Sequence, residues 1–266
     1  MPDHDTAGFA ELEKVAADVA TEAAALVHRF VGRAVDVGRK TSPSDVVTQT
    51  DLDAEALIRT RLRVVAPGSG VMGEEGGTTV SDSSDILWIV DPLDGTVNFT
   101  YGVPLIAVSI AATSGGRVVA GAVVDVVHGD IFRASLGNGA RCNSTPMRGS
   151  LCNRLDSAIV TTGFSYSAEL RGKQGAISAA LLPSIRDIRC FGSAALQLCW
   201  VGLGRTDAYY ERDTKQWDYA AGALIASEAG ATVELPCPEN ESLTIAAPPT
   251  IFDALRDAVD HTSPTT

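Results

Sequence analysis

Apolar positions recur at helical and strand spacings along the chain, and their pattern predicts its elements. A helix is predicted over residues 8–31, where apolar side chains return every three or four positions. A second helix is predicted to begin near Asp51, which is a candidate N-cap, and to end at Pro67. Short apolar runs at residues 71–74 and 86–90 are typical of strands.

The rest of the chain alternates between runs of strands and single helices. A turn at Ser114-Gly115-Gly116 separates two β-rich runs, which predicts a hairpin. The further predicted strands are 103–112, 118–127, 130–135, 157–162, 188–191, 207–210, 231–235 and 243–246, and the further predicted helices are 174–182, the segment from Ser193 to Leu203, 217–230 and 251–259. Strands grouped in this way favour an α+β fold over a regular βαβ alternation. With 266 residues and 45% hydrophobic content, the chain suits one domain (1–266) or two closely joined lobes, about 1–150 and 151–266.

One stretch combines two acids with turn-forming residues. Residues 88–99 are Trp-Ile-Val-Asp-Pro-Leu-Asp-Gly-Thr-Val-Asn-Phe, so a carboxylate, a proline and a second carboxylate follow the apolar run closely. Pro92 fixes its own φ angle and has no N–H, and Gly95 lets the backbone approach a neighbouring group, so the two bracket a predicted tight turn. Taken alone, Pro-Leu-Asp-Gly is also an ordinary type I turn.

Two carboxylates three residues apart are costly in a partly buried turn unless a cation neutralises them. Asp91 and Asp94 have this spacing, and Mg²⁺ prefers oxygen ligands. The amides that follow Asp94 and the hydroxyl of Thr96 then offer donors to an anion beside the metal. Two other acidic segments, Gly73-Glu74-Glu75-Gly76 and Trp217-Asp218, favour this metal-and-phosphate hypothesis over a plain turn.

These segments together resemble the motifs of the inositol monophosphatase family. The run from Asp91 to Phe99 is similar to that family's metal-binding motif, and Trp217-Asp218-Tyr-Ala-Ala-Gly222, continuing to Gly230, is similar to its second motif. Gly73-Glu74-Glu75 and residues 40–51 match its N-terminal segments in order and spacing. The resemblance extends from about Lys40 to about Gly230, and it implies layered α/β/α/β/α sheets with the active site between two lobes.

The resemblance also implies a reaction and a set of ligands. It implies Mg²⁺-dependent hydrolysis of a small phosphate monoester, first of all myo-inositol monophosphate, with two or three Mg²⁺ ions. The implied metal ligands are Glu74, Asp91, the Leu93 carbonyl, Asp94 and Asp218. Water on one ion would attack in line, oriented by Thr96, with Asp51 accepting the Thr96 proton and Glu74 as a third catalytic residue.

A second group of residues is expected to recognise the substrate. Gly192-Ser193-Ala194 precedes a helix whose N-terminal amides can bind oxygen groups. Glu211 matches a family position that accepts hydrogen bonds from sugar or cyclitol hydroxyls, and as an isolated residue it is equally well a strand-end surface glutamate. The remaining expected contacts are Gly95, Thr96 and Asp218. Residues 163–173 match no pattern, which leaves the choice of substrate open.

Composition and charge narrow the classes of function. The net charge of −12 and the lack of a Lys/Arg cluster argue against a nucleic-acid binder. No apolar run reaches the length of a membrane span, and the first residues show no signal-peptide pattern, so a cytoplasmic enzyme is expected. The five cysteines are odd in number and form no Cys-x-x-Cys pair, which predicts buried thiols. His28 is expected to be solvated or at the edge of the core.

Two kinds of alternative remain at this point. Within the superfamily, the substrate could be histidinol phosphate, fructose 1,6-bisphosphate or a 3′-phosphoadenosine nucleotide, although Val97-Asn98-Phe99 favours the inositol branch. A non-catalytic alternative is a regulatory protein that retains the fold. The presence of every implied metal ligand and of Thr96 argues against a loss of catalytic activity. The resemblance further implies inhibition by Li⁺ and a homodimer.

Overall fold

The computed structural model describes residues 6–33, 37–39, 46–80, 83–237 and 242–261. The helices within these ranges are α1 (Thr6–His28), α2 (Gln49–Val65), α3 (Thr96–Tyr101), α4 (Ala168–Leu181), α5 (Ala194–Leu203), α6 (Gln216–Glu228) and α7 (Phe252–His261). The strands are β1 (Val37–Arg39), β2 (Val46–Thr48), β3 (Gly70–Gly73), β4 (Gly77–Thr79), β5 (Leu87–Asp94), β6 (Ala107–Ser114), β7 (Arg117–Asp125), β8 (Ile131–Ser135), β9 (Ala140–Cys142), β10 (Thr145–Pro146), β11 (Ile159–Thr162), β12 (Asp187–Cys190), β13 (Ala208–Arg212), β14 (Thr232–Glu234) and β15 (Leu243–Ala247).

The larger sheet carries the acidic motif near one edge. Its eight strands follow the order β10-β9-β8-β7-β6-β5-β3-β4, and every neighbouring pair is antiparallel except β3 and β5. The parallel register pairs Gly73 with Val90. Because Glu74 and Asp91 come directly after these two residues, they lie side by side at the same end of neighbouring strands.

The smaller sheet gathers a second set of residues at one edge. Its order is β12-β11-β13-β15-β14, with β11 parallel to both β12 and β13. The carboxyl ends of these three strands therefore lie at the same edge of the sheet. Gly163 follows β11, Phe191 follows β12, and Glu211 lies near the end of β13. This edge faces the same loops that carry the acidic motif, as the contacts described below show.

Helices cover both faces of both sheets, so the predicted α+β layers are confirmed. Helices α1 and α2 pack on one face of the larger sheet, and α5 and α6 pack on its other face. The same α5 and α6 contact the smaller sheet, whose far face is covered by α4 and α7. The resulting order is α/β/α/β/α.

Strand β5 shows why the acidic motif lies at a layer boundary. Trp88 and Val90 point into the core under α1 and α2, whereas Ile89 points into the core under α5 and α6. The prediction that the strand ends at residue 90 is wrong. Pairing resumes at Asp94 beyond an irregularity that begins at Asp91, and this irregularity accommodates a proline without an N–H.

Helix starts also differ from the predicted ones. Asp51 is not the N-cap of α2: Thr48 holds that position and Asp51 is the third helical residue, where its carboxylate accepts the Thr48 N–H at 2.8 Å. Strand β2 lies within residues 40–51, the first segment of the family resemblance, of which residues 40–45 fall outside the described residues. The six residues of α3 are too few to show helical periodicity.

Several smaller predictions can also be compared with the structure. The hairpin around Ser114-Gly115-Gly116 is confirmed by the antiparallel pairing of β6 and β7. All five cysteines are unbridged; Cys199 is buried as expected, but Cys190 is exposed. His28 is exposed at the end of α1. Among the described residues, no helix has the length and apolar character needed to cross a membrane. The division into lobes near residue 150 stays a prediction.

Candidate active site

Four acidic side chains from three separate parts of the chain converge at the end of β5. Glu74 follows β3, Asp91 and Asp94 belong to the end of β5, and Asp218 lies in the first turn of α6. Burial raises the pKa of Asp91 well above its ordinary value, and repulsion from the other three carboxylates raises it further. The sequence motifs therefore meet in space, and together they create an excess of negative charge.

Asp94 is held by the beginning of α5. Its Oδ2 atom accepts the Ser193 hydroxyl at 2.6 Å and the Ala195 N–H at 2.8 Å. Burial raises the pKa of this carboxyl group from 3.8 to about 6, against the opposing effect of these hydrogen bonds. Ser193 is the buried N-cap of α5. Its hydroxyl donates to Asp94 and accepts a backbone N–H of the first turn of α5. The substrate contacts expected of Ser193 and Ala194 stay predictions.

A glycine and an asparagine join the acidic motif to the smaller sheet. Gly95 has φ 98°, and a Cβ there would lie 2.9 Å from the Leu105 carbonyl, so only glycine fits without strain. Asn98 donates to the carbonyls of Leu105 at 2.8 Å and Phe191 at 2.7 Å. Gly192, after Phe191, passes so close that a Cβ would lie 3.0 Å from the Asn98 amide. Sequence reasoning used Asn98 only to choose a branch of the family and missed this bridging role.

Thr96 and Asp51 form a buried hydrogen-bonded pair beside the carboxylates. The Thr96 hydroxyl lies 2.9 Å from Asp51 Oδ1 and 3.1 Å from the Leu93 carbonyl oxygen. Asp51 is 1% exposed, and its Oδ2 atom accepts both the backbone N–H and the hydroxyl of Thr48. Asp51 therefore completes the start of α2 and orients the Thr96 hydroxyl at the same time. The structure brings together the pair that the family resemblance implied.

Asp218 also combines a helix-capping role with a place in the acidic group. It is the third residue of α6, and its Oδ2 atom accepts the Lys215 N–H at 2.6 Å. Burial raises the pKa of Asp218 well above its ordinary value, and Asp94, Glu74 and Glu211 add to the rise by repulsion. A capping residue far from other acids would lack this repulsion.

Glu211 lies in β13 and faces the loop that follows β11. Its Oε2 atom accepts the Tyr209 hydroxyl at 2.9 Å, and a Cβ on Gly163 would lie 2.1 Å from the same carboxylate oxygen. Burial raises the pKa of Glu211 to about 7, with added repulsion from Asp94 and Asp213. Glu211 is half-buried, and this enclosure argues against a freely solvated surface glutamate. Its expected contact with the substrate stays a prediction.

The loop after β11 is tied to the end of β13 by a residue that sequence reasoning did not single out. Gln174 of α4 accepts the Ser165 N–H at 2.7 Å and donates to the Arg212 carbonyl at 2.9 Å. The Ser165 hydroxyl lies 3.1 Å from a carboxylate oxygen of Asp213. These bonds fix the loop beside Glu211. A lone helical glutamine gives no sequence signal of this kind.

The acidic group fits a hard cation by its chemistry. Among the described residues, no lysine or arginine forms an ion pair with Asp91, Asp94 or Asp218; their hydrogen-bond donors are backbone amides and the Ser193 hydroxyl. Across the same part of the chain, no three acidic, histidine or cysteine side chains already form a metal cage. Mg²⁺ does not require one, because it commonly keeps several waters and takes one or two carboxylates plus phosphate oxygens.

Comparisons with known proteins agree with this arrangement. The model of the inositol monophosphatase family matches residues 9–258. The inositol-1-monophosphatase SuhB of Mycobacterium tuberculosis is 44% identical, with 98% of this chain and 96% of that protein covered. The Nus factor SuhB of Salmonella typhimurium is 40% identical over 75% of each chain.

A solved structure extends the comparison to three dimensions. The crystal structure of the extragenic suppressor protein suhB from Bartonella henselae superposes with a TM-score of 0.87 and 33% identity, covering 94% of this chain and 98% of that chain. The identity, the coverage and the match over residues 9–258 show that the chain belongs to the inositol monophosphatase family.

Proposed function

We propose that this protein is a Mg²⁺-dependent phosphatase that hydrolyses a small polyol phosphate monoester, with myo-inositol monophosphate as the first candidate. The observation that carries the proposal is the acidic group formed by Glu74, Asp91, Asp94 and Asp218, in which burial and mutual repulsion raise the pKa values of the three aspartates. Such a group is unfavourable in the free protein and favourable around a divalent cation. Its position beside the Thr96–Asp51 pair supports hydrolysis over simple metal storage.

The carboxylates and the Leu93 carbonyl would hold two or three Mg²⁺ ions. When bound, Mg²⁺ would neutralise the phosphoryl oxygens and lower the pKa of the attacking water. Hydrolysis forms a P–O bond to this water and breaks the P–O bond to the alcohol, whose oxygen takes up a proton. Glu74 is the proposed catalytic residue among these ligands.

Thr96 and Asp51 would handle a proton of the attacking water. Because the Thr96 hydroxyl donates toward Asp51 Oδ1 at 2.9 Å, its oxygen keeps a lone pair for a hydrogen bond from water. Asp51 is fixed by Thr48 and almost fully buried, so it has little freedom to turn away. The N–H groups that follow Asp94 offer further donors to the phosphate.

Glu211 supports a polyol as the alcohol part of the substrate. An ionised carboxylate accepts hydrogen bonds from two neighbouring hydroxyls, and the enclosure of Glu211 by Gly163 and Tyr209 sets its direction. The histidinol phosphate, fructose 1,6-bisphosphate and 3′-phosphoadenosine nucleotide alternatives differ in how many adjacent hydroxyls they present to this carboxylate. We expect Gly95, Gly192 and Ala194 to form the backbone wall opposite Glu211.

A panel of phosphate esters assayed with Mg²⁺ tests the proposal. The panel contains inositol 1-phosphate, the three alternative substrates and p-nitrophenyl phosphate. We expect the highest kcat/KM for inositol 1-phosphate, and a Glu211→Gln variant should reduce this preference while retaining turnover of p-nitrophenyl phosphate. A higher kcat/KM for one of the alternatives would contradict the assignment of the substrate.

A regulatory role is the second candidate, because one relative is named a Nus factor. Such a role would need the fold and the surface but not the acidic site. A folded protein that hydrolyses no member of the panel would favour regulation over catalysis. The cytoplasmic location and the homodimer stay predictions.

A further inference from the structure

The loop that carries Glu74 closes around a buried carboxylate of α2. Glu55, whose side chain is 3% exposed, accepts the backbone N–H groups of Glu75 and Gly76, both at 2.8 Å. These two amides follow Glu74 directly in the chain. The position of Glu74 is therefore linked to a residue that lies outside the acidic group.

Two glycines show how closely the loop follows this carboxylate. A Cβ built on Gly73 or on Gly76 would lie 2.5 Å from atoms of the Glu55 carboxyl group. That distance is shorter than any normal contact, so the backbone on both sides of Glu74 is in direct contact with Glu55. A change at Glu55 would therefore alter the course of the loop and not only remove a surface charge.

Arg59 balances the buried charge and holds the other side of the hairpin. Its Nε atom lies 2.7 Å from Glu55 Oε1, and its guanidinium donates to the Gly77 carbonyl at 2.5 Å and to the Thr79 hydroxyl at 3.2 Å. The guanidinium fork therefore joins the carboxylate to β4. Glu55 and Arg59 are four residues apart, the spacing of an ordinary surface ion pair on a helix. Both side chains are mostly buried, however, and the other groups that they bond lie about 20 residues further along the chain.

The same helix also supplies Asp51, one turn before Glu55. Residues four apart lie on one face of a helix, so Asp51 and Glu55 are stacked along α2. Asp51 contacts Thr96, and Glu55 contacts the loop of Glu74. One rigid element thus sets the relative position of two parts of the site.

We propose that Glu55 is a positioning residue, which acts through the amides of Glu75 and Gly76 to place the Glu74 carboxylate for Mg²⁺. Arg59 holds the Glu55 carboxylate in place through the contact between its Nε atom and Oε1. The inference rests on the proposed function, since it assumes that Glu74 binds Mg²⁺. A carboxylate suits the task because its two oxygens accept both amides, whereas a glutamine presents an NH₂ group to one of them.

The test is a double-mutant cycle on Mg²⁺ binding, measured by calorimetry with the full chain after removal of metal by EDTA and dialysis. Glu74→Gln identifies the Mg²⁺-binding step to which Glu74 contributes, because it weakens that step. Glu55→Gln should raise the dissociation constant of the same step by about 10- to 100-fold, the range typical for residues that orient a metal ligand. In a Glu74→Gln background, the same change should cost less than about threefold.

Glu228→Gln is the matched control. Glu228 also holds a turn by two backbone amides, those of Gly137 at 3.0 Å and Gly139 at 2.9 Å. It lies ten residues after Asp218 in the same helix, which is about 15 Å along the axis. Its replacement should leave Mg²⁺ affinity within about threefold of the wild type.

The possible results separate the inference from the proposed function. If wild-type protein binds no Mg²⁺, the proposed function and the inference fall together. If wild type binds Mg²⁺ but Glu55→Gln binds it equally well, or loses as much affinity in the Glu74→Gln background, the inference alone is wrong.

Arg59→Lys keeps the test decisive should Glu55→Gln not fold. Lysine retains the charge but not the fork that reaches β4. We expect a rise of about three- to tenfold in the dissociation constant, absent in the Glu74→Gln background. No rise at all would overturn the inference.

Discussion

Replacing Asp94 by asparagine separates catalysis from stability. The variant keeps the shape of the side chain, and its carbonyl oxygen can still accept the Ser193 hydroxyl and the Ala195 N–H. It removes one negative charge from the acidic group. If Asp94 were only a turn residue, activity would survive this change.

The structure gives the size of the effect on stability. The rise of the Asp94 pKa from 3.8 to about 6 means that ionising this buried group costs the folded, metal-free protein about 3 kcal/mol at neutral pH. Because the folded-state pKa is the higher one, the native state is most favoured by this group below pH 4 and loses that advantage as the pH rises through 6. Asp94→Asn should therefore raise the melting temperature in EDTA by several degrees at pH 7.5, and much less at pH 4.

The effect on catalysis should have the opposite sign. Loss of one charge beside a divalent ion removes several kcal/mol of transition-state stabilisation, and each 1.36 kcal/mol is tenfold in rate, so kcat should fall by about two to four orders of magnitude. The assay pairs kcat at saturating Mg²⁺ with the melting temperature in EDTA.

Asp207→Asn is the matched control for Asp94→Asn. Asp207 also accepts a serine hydroxyl, from Ser150, and a backbone N–H, from Ile159 at 2.8 Å, but it lies outside the acidic group. Its replacement should leave kcat within about twofold and should not raise the melting temperature. Near-normal kcat in a well-folded Asp94→Asn protein would refute the reasoning, because Asp94 would then belong to the turn alone.

Three further predictions concern the substrate, a competing ion and assembly. Since Glu211 has a pKa of about 7, its carboxylate becomes ionised as the pH rises from 6 to 8, and the KM for inositol 1-phosphate, relative to that for p-nitrophenyl phosphate, should fall. This trend should be absent in Glu211→Gln. The same trend in that variant would contradict the role of the carboxylate. Li⁺ in the millimolar range should inhibit, because a monovalent ion among Asp91, Asp94 and Asp218 supplies too little charge; full rates would count against this. Sedimentation at micromolar concentration should show a homodimer, and a monomer alone would contradict that expectation.

The sequence predicted those parts of the site in which a candidate ligand side chain lies at the end or the beginning of a helix or strand. Glu74 comes after a short apolar run and Asp218 stands at the head of a mostly apolar helix, and the family resemblance implied both as metal ligands. Local spacing predicted the elements that end at these residues, whereas their role as ligands came from the match of whole motifs to the family. The layered fold was an implication of the family resemblance, and periodicity supported only the alternation of strands and helices.

The parts that escaped prediction depend on contacts between distant residues. Glu55 looks like half of an ordinary helical ion pair with Arg59, and only its bonds to amides twenty residues away reveal another role. Asn98 and Gln174 likewise bridge loops that are far apart in the chain. A side chain that satisfies remote backbone groups leaves no periodic signal.

The most direct test of the central claim is release of phosphate from inositol 1-phosphate by protein that has been stripped of metal with EDTA and dialysed. The stripped protein should release no phosphate above background, and adding Mg²⁺ back should restore turnover in the wild type but not in Asp94→Asn. Full hydrolysis by the stripped protein, or no hydrolysis after Mg²⁺ is restored to a folded wild type, would contradict the assignment of the acidic group as the centre of a Mg²⁺-dependent phosphatase.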